Sequence, residues 1–159
     1  MEPTLGDLEM LYRSRYGEFL HVAIALTGYP ALAADAVQDA FARAIGHRSD
    51  FRGDGPVEAW VWRIVINAAH TSRPRYLTAE LATAPEAMVA DDDPDPHGLD
   101  GWLAALPERE RLVVFLRYFA DLDYRSIAAA LDVKVGTVSA TLHSAHQTLR
   151  RSLEEAPHP

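Results

Sequence analysis

Cysteine is absent from all 159 residues. That excludes disulfides, thiolate zinc sites and a cysteine nucleophile, and it fits a reducing compartment. No apolar run approaches the roughly 18 residues that a membrane span needs. The chain opens acidic and polar, without the basic stretch and apolar run of a secretory leader, so a cytoplasmic protein is expected. Convincing strand alternation is missing too. There is no glycine-rich phosphate loop, no Ser-His-Asp order that spacing supports and no general acid–base pair. No enzyme and no cofactor are therefore expected. Basic charge is also short: the formal net charge is −8, the wrong sign for the usual nucleic-acid footprint.

What is present changes that last inference. Residues 1–76 carry 8 basic and 9 acidic side chains, and residues 102–159 carry 7 of each. Residues 77–101 carry 7 acidic and no basic ones. One short segment thus holds nearly all the excess, and the flanking blocks are close to neutral. That segment also contains Pro85, Pro94, Pro96, the run Asp91, Asp92, Asp93, and Gly98. Proline and charge repulsion make it an extended linker. The division is a domain over 1–76, an acidic linker over 77–101 and a domain over 102–159. The apolar fraction is 48%, enough for folding, but each block is small and its core thin.

Both blocks read as all-α. In the first, Leu8, Tyr12, Phe19, Ala23 and Leu26 recur at helical spacing up to Gly28. Pro30 opens a second helix carrying Val37, Phe41 and Ala44 or Ile45, with Gly46 at its end. Pro56 opens a third, with Trp60, Ile64 and Ala68 in one row, Val61 and Val65 in another, and Pro74 as its stop. In the second block, Pro107 starts a helix with Leu112, Phe115, Leu116 and Phe119 inward. Asp123 is the N-cap of a short helix bearing Ile127 and Leu131. A tight turn over 132–136 follows, where Asp132 takes the left-handed conformation. A last helix carries Val138, Leu142, Ala145 and Leu149. Two helices joined by such a turn form a helix-turn-helix.

Those motifs, in that order, resemble the extracytoplasmic-function (ECF) sigma factors of RNA polymerase. Asp35, Ala36, Val37, Gln38, Asp39, Ala40 and Phe41 resemble the family's Asp-Leu-Val-Gln-Glu-Val-Phe helix. Phe51, Arg52 and Gly53, then residues 59–67, resemble its next segment, which ends on an Arg-Asn pair. Residues 106–111, 116–118, 124–128 and 136–138 follow its fourth-region pattern. The resemblance implies a two-domain helical factor that binds core RNA polymerase, at the beta-prime clamp and beta flap, and directs initiation at promoter DNA. An anti-sigma partner is a further implication. The docking helix would use Asp35, Val37, Gln38, Asp39 and Phe41, as carboxylate and amide acceptors beside apolar area. For Val37 and Phe41 a core position is the competing reading.

The minus-ten element would fall to Trp60, Trp62, Arg63, Asn67, Arg73 and Arg75, through stacking and base-edge hydrogen bonds. Trp60 lies on the apolar row, which points to the core; Trp62 lies off it and is expected at the surface. The minus-thirty-five element would fall to Arg125, Lys134, Thr137, Ser139, Thr141, His143, His146 and Arg150. Here the chain departs from the family, which customarily has Lys or Arg where Ser139, Thr141, Ser144 and His146 stand. Phosphate contacts supply most non-specific affinity, so the electrostatic grip is reduced. A degenerate relative, binding polymerase or an anti-sigma factor without reading promoters, is the alternative. His143 and His146 stand three apart, but no carboxylate beside them completes a metal set, and no metal is expected.

Overall fold

The computed structural model describes residues 1–72, 103 and 105–155. Among them the regular structure is helical: α1 (Leu5–Thr27), α2 (Pro30–Gly46), a 3-10 turn (Arg48–Asp50), α3 (Val57–Thr71), α4 (Glu108–Tyr118), α5 (Tyr124–Leu131) and α6 (Val135–Glu155). No strand occurs among the described residues, and none of the helices is long and apolar enough to cross a membrane. The acidic segment 77–101, Pro74, Arg73 and Arg75 lie outside the described residues.

Local chemistry sets the helix ends. Thr4 caps α1 by accepting from the Asp7 amide at 3.1 Å, and the Asp7 carboxylate accepts from the Thr4 amide at 2.8 Å, a reciprocal box that satisfies two otherwise orphaned donors. Gly28 stops α1 at φ 78°, a conformation that costs a side-chain-bearing residue about 1–2 kcal/mol. Pro30 then sits in the first turn of α2, where its missing N–H costs nothing. Asp123 caps α5, accepting from the Ser126 amide at 2.7 Å. Asp132 closes it at φ 55° and ψ 48°, and α6 begins at Val135, so the turn is shorter than the sequence spacing suggested.

The first block is a three-helix unit in which each helix packs on the other two. Phe19, Phe41 and Trp62 meet at its centre: ring centroids lie 5.3 Å apart for Phe19 and Phe41 and 4.2 Å for Phe19 and Trp62. Ala33, Val37, Ala40, Ala44, Val61 and Val65 close around them with no measurable exposure. Ala44, not Ile45, faces inward; Ile45 is exposed.

Two other assignments are corrected. Trp62 is fully buried, while Trp60 is only half-buried and sits edge-on to Phe51 at 5.6 Å. The row through Trp60, Ile64 and Ala68 is a flank, not the centre. α3 packs on both α1 and α2, so its buried face is wide and is centred on Val61, Trp62, Val65, Ile66 and Ala69.

The second block buries Leu112, Phe115, Leu116, Ile127, Val138, Leu142 and Ala145, the pattern its spacing predicts. Leu131 and Leu149 are half-buried against this core, and Phe119 departs further: it caps α4, stays 40% exposed and stacks on His21 of α1 at 5.0 Å. That stacking is one of several contacts through which the blocks pack together, α4 against α1 and α5 against α3.

Candidate nucleic-acid interface

Residues Arg63, Asn67 and His70 recur at helical spacing on the outer face of α3, and all three are exposed. A cleft opens beside them, between α3 and the loop over 50–56, with Trp60, Arg63, Phe51 and Arg52 in its wall. Gly53 turns that loop at φ 79°, and Asp50 and Asp54 also line the cleft. An open cleft with a partly exposed indole and two guanidinium groups has what an unstacked base requires: a flat face and donors for its edge. Arg63 and Asn67 thus share one face, with Trp60 beside them. Trp62 does not join them; it belongs to the core, where its indole N–H has no hydrogen-bond partner. The reason is geometric. Residues two apart on a helix lie about 200° apart around its axis, so Trp60 and Trp62 cannot both face the cleft.

The helix-turn-helix presents a second face. Ser139, His143 and Arg150 are exposed along α6, Lys134 is exposed in the turn and Arg125 on α5. His146 is exposed as well but hydrogen-bonded, whereas Thr137, Thr141 and the neighbouring Ser144 are half-buried. Near the start of α6, the Thr141 hydroxyl donates to the Thr137 carbonyl at 2.7 Å. The Ser144 hydroxyl donates to Glu110 at 2.6 Å, and the His146 ring is hydrogen-bonded to the Tyr118 hydroxyl at 2.9 Å. Two of the customary basic positions are therefore turned toward α4 and engaged there. Glu110 keeps a second carboxylate oxygen without a partner, so α4 retains an acceptor for a cation that α6 does not supply.

Asp35, Gln38 and Asp39 are exposed along α2, and Asp39 pairs with Arg43 at 2.9 Å. Val37 is fully buried and Phe41 nearly so, the latter edge-on to Tyr12 at 5.0 Å. Val37 packs into the three-helix core, the competing position for it, and its side chain is not offered at the surface of α2. Phe41 contributes only an edge to a shallow apolar groove with Leu5, Leu8, Tyr12, Gln38 and Ile45. Sequence spacing does not assign Leu5 or Ile45 to this surface. Their exposure, 53% and 44%, marks them, and only the structure shows that α1 and α2 bring them together.

The order of these parts recurs in known proteins. The Sigma-70 region 2 model matches residues 11–75, and the Sigma-70 region 4 model matches residues 99–149. The RNA polymerase sigma-E factor of Streptomyces avermitilis is 33% identical, over 93% of this chain and 86% of its own length. The ECF RNA polymerase sigma-E factor of Escherichia coli K12 is 27% identical, over 76% of this chain and 73% of its own. In three dimensions the chain is similar to the sigma factor RpoE of Bartonella quintana, solved in complex with the anti-sigma factor NepR. The TM-score is 0.69 at 19% identity, covering 96% of this chain and 100% of that one. With region 2 and region 4 in order and a relative at this identity along nearly its whole length, the chain belongs to the ECF group of sigma-70-family sigma factors, the transcription factors that direct RNA polymerase to promoters.

Proposed function

We propose that this sigma factor divides its work between the faces described above. The exposed acceptors Asp35, Gln38 and Asp39, with the α1–α2 groove, dock on the beta-prime clamp of core polymerase, and the second block meets the beta flap. Trp60, Arg63 and Asn67 take the minus-ten strand. Ser139, His143 and Arg150, with Lys134 and Arg125, meet the minus-thirty-five element. Domain limits at 1–76 and 102–159, with an acidic linker over 77–101, go with this division. The observation that carries it is the succession Trp60, Arg63 and Asn67 along one face of α3, with Trp60 and Arg63 in one open cleft and Arg63 and Asn67 in the next, which sets a stacking ring and edge-reading donors along one strand path. An anti-sigma partner is proposed as well, by analogy with the RpoE–NepR complex.

Run-off transcription tests this division. Core polymerase plus this chain, on fragments from upstream of its coding region, should yield a discrete transcript that is missing without the chain. Asn67→Ala and Arg63→Ala should cut that transcript while leaving binding to core intact. Loss of core binding instead would move the polymerase contact to α3 and sink the assignment.

A second reading has its own support. The last helix holds Ser139, Thr141, Ser144 and His146 where the family carries Lys or Arg, and two of the four are hydrogen-bonded to α4. A chain that docks on polymerase or an anti-sigma factor without reading a minus-thirty-five element fits that pattern. Restoring basic side chains at all four places, as Ser139→Lys, Thr141→Arg, Ser144→Arg and His146→Arg, separates the readings. Stronger promoter binding with a steeper salt dependence supports a working helix-turn-helix; an unchanged promoter affinity supports the interaction module.

A further inference from the structure

The two engaged positions of α6 are not engaged alike. Ser144 is half-buried, and its hydroxyl is taken by Glu110 of α4. His146 is exposed, and so is its partner. The Tyr118 hydroxyl, at the end of α4, lies 2.9 Å from His146 Nε2, and Tyr118 is 58% exposed. The other ring nitrogen, Nδ1, has no hydrogen-bond partner among the described residues. Ser139, His143, His146 and Arg150 recur at spacings of four, three and four, which sets them on one stripe of the helix. His146 thus stands in the row assigned to the minus-thirty-five element, braced from the side by a phenol.

The imidazole and the hydroxyl can arrange their protons in two ways, and the difference matters to an anion. In the neutral ring, Nε2 accepts from the Tyr118 O–H, and only Nδ1–H is left to donate outward. In the imidazolium both nitrogens are donors. Nε2–H then donates to the Tyr118 oxygen, which frees the phenolic O–H. One added proton therefore turns a single neutral donor into a pair, Nδ1–H and O–H, beside a full positive charge. A phosphate is the ligand that uses all three. The bond to Tyr118 persists in both states, so charging the ring breaks no contact.

The surroundings leave this charge to be answered from outside. α6 packs on α4 and α5. From α4, Glu110 is bound by Ser144, and the Arg117 guanidinium lies 6.0 Å from the Tyr118 ring centroid. Next to Arg117, Asp121 pairs with it at 3.8 Å, and Asp123 accepts from the Ser126 amide at 2.7 Å. α5 adds Arg125, and α6 itself adds His143 and Arg150, all exposed. Each carboxylate of this set already has a partner of its own.

We propose that Tyr118 and His146 form a proton-dependent phosphate clamp: the pair grips a DNA phosphate beside the minus-thirty-five element when the imidazole is charged, and holds it weakly when the imidazole is neutral. This rests on the reading of α6 given under Proposed function. Binding of DNA then takes up a proton, and the hold of the second block rises as pH falls through the range in which histidine gains charge, about pH 8 to about pH 5. An arginine in the same place stays charged throughout, so the exchange of arginine for histidine turns a constant contact into a conditional one.

The test is the binding of core polymerase carrying this chain to the promoter fragment that gives the run-off transcript, against the same fragment with its minus-thirty-five half replaced. The ratio of the two affinities isolates the second block and cancels the titration of the polymerase itself. From about pH 7.5 to about pH 6 that ratio should rise about fivefold, the margin of a charge-assisted hydrogen bond over a neutral one. Over the same interval the slope of log affinity against log salt should steepen by about 0.9, the share of one phosphate. His146→Arg should give the acid-side ratio at both pH values, and His146→Gln the alkaline-side ratio at both. Tyr118→Phe should leave the alkaline-side ratio in place and lose about half of the acid gain, because the freed O–H is missing. A ratio above one that does not change with pH overturns the clamp and leaves the reading of α6 standing. So does a pH dependence that survives His146→Gln, which would move its source to His143. A ratio of one at both pH values, even in His146→Arg, means that the reading of α6 itself fails, and the clamp with it.

Discussion

The two blocks solve the same problem with different material. The first interlocks three long helices around Phe19, Phe41 and Trp62, and each helix touches the other two. The second closes α4 and α5 onto α6 with leucine, valine, isoleucine and alanine, and Phe115 is its one aromatic core member among the described residues. α4 and α5 touch each other little, and α5 makes as much of its packing on α3 as on its own block. Large rings bury more area per residue than aliphatic chains. The first block therefore has the thicker core, whereas the second depends in part on its neighbour. A small helical unit of that kind keeps its fold only narrowly, which suits a module that changes partners.

Deleting the centre of the first block is the harshest way to break this contrast. Trp62→Ala should cost about 3–5 kcal/mol, because its ring is fully buried against Phe19. Thermal unfolding should then lose its most stable transition, and core binding should fall with it. If instead stability is unchanged and only promoter opening is lost, the surface role expected from sequence would be restored.

Ile127→Ala comes next, at about 2–5 kcal/mol. Ile127 is fully buried in α5. The thin block should melt while the first stays folded, which limited proteolysis would display as a protected N-terminal fragment. Simultaneous loss of both blocks would show that the thicker core does not stand alone.

The smallest effect is at the caps. Asp123→Ala should cost about 0.5–2 kcal/mol through the lost N-cap. The Ser126 amide that Asp123 accepts holds its carboxyl below the ordinary 3.8, and the Thr4 amide does the same for Asp7. A carboxyl lowered in the folded state stabilises at pH values above its unfolded value, and that contribution fades as pH falls from 3.8 toward the lowered value. Both groups are exposed, so the effect is modest. Asp123→Asn keeps a capping acceptor and should leave neutral stability nearly unchanged while flattening the acid limb of the second block's melting profile. An unaltered acid limb would place the dependence elsewhere.

Much of this is legible in the sequence alone. Gly28, Pro30, Pro56, Pro107, Asp123 and Asp132 bound the helices where turn and cap chemistry puts them, since those signals are local. The outward placement of Asp35, Gln38, Asp39, Arg63 and Asn67 also follows from periodicity. That of Trp60 and Trp62 does not, because a helix packed against three others buries a face wider than any single row, and sequence spacing cannot say how many neighbours a helix has. By pattern, Ser144 and His146 are simply lost DNA contacts. That they are engaged by Glu110 and Tyr118 depends on how α4 crosses α6, which no short-range pattern encodes. Asp132 reads as a turn residue only; its pairing with Arg63 at 3.2 Å arises because α3 lies opposite.

The bond between Ser144 and Glu110 constrains the order in which α6 can acquire charge during evolution. An arginine at position 144 would meet the unpartnered carboxylate oxygen of Glu110 before it met a phosphate, so that step changes the stability of the second block more than its hold on DNA. A lysine at the exposed position 139 would act on DNA from the start. Lineages that regain promoter affinity should therefore pass through 139 first, and position 144 should covary with 110 rather than with the operator sequence.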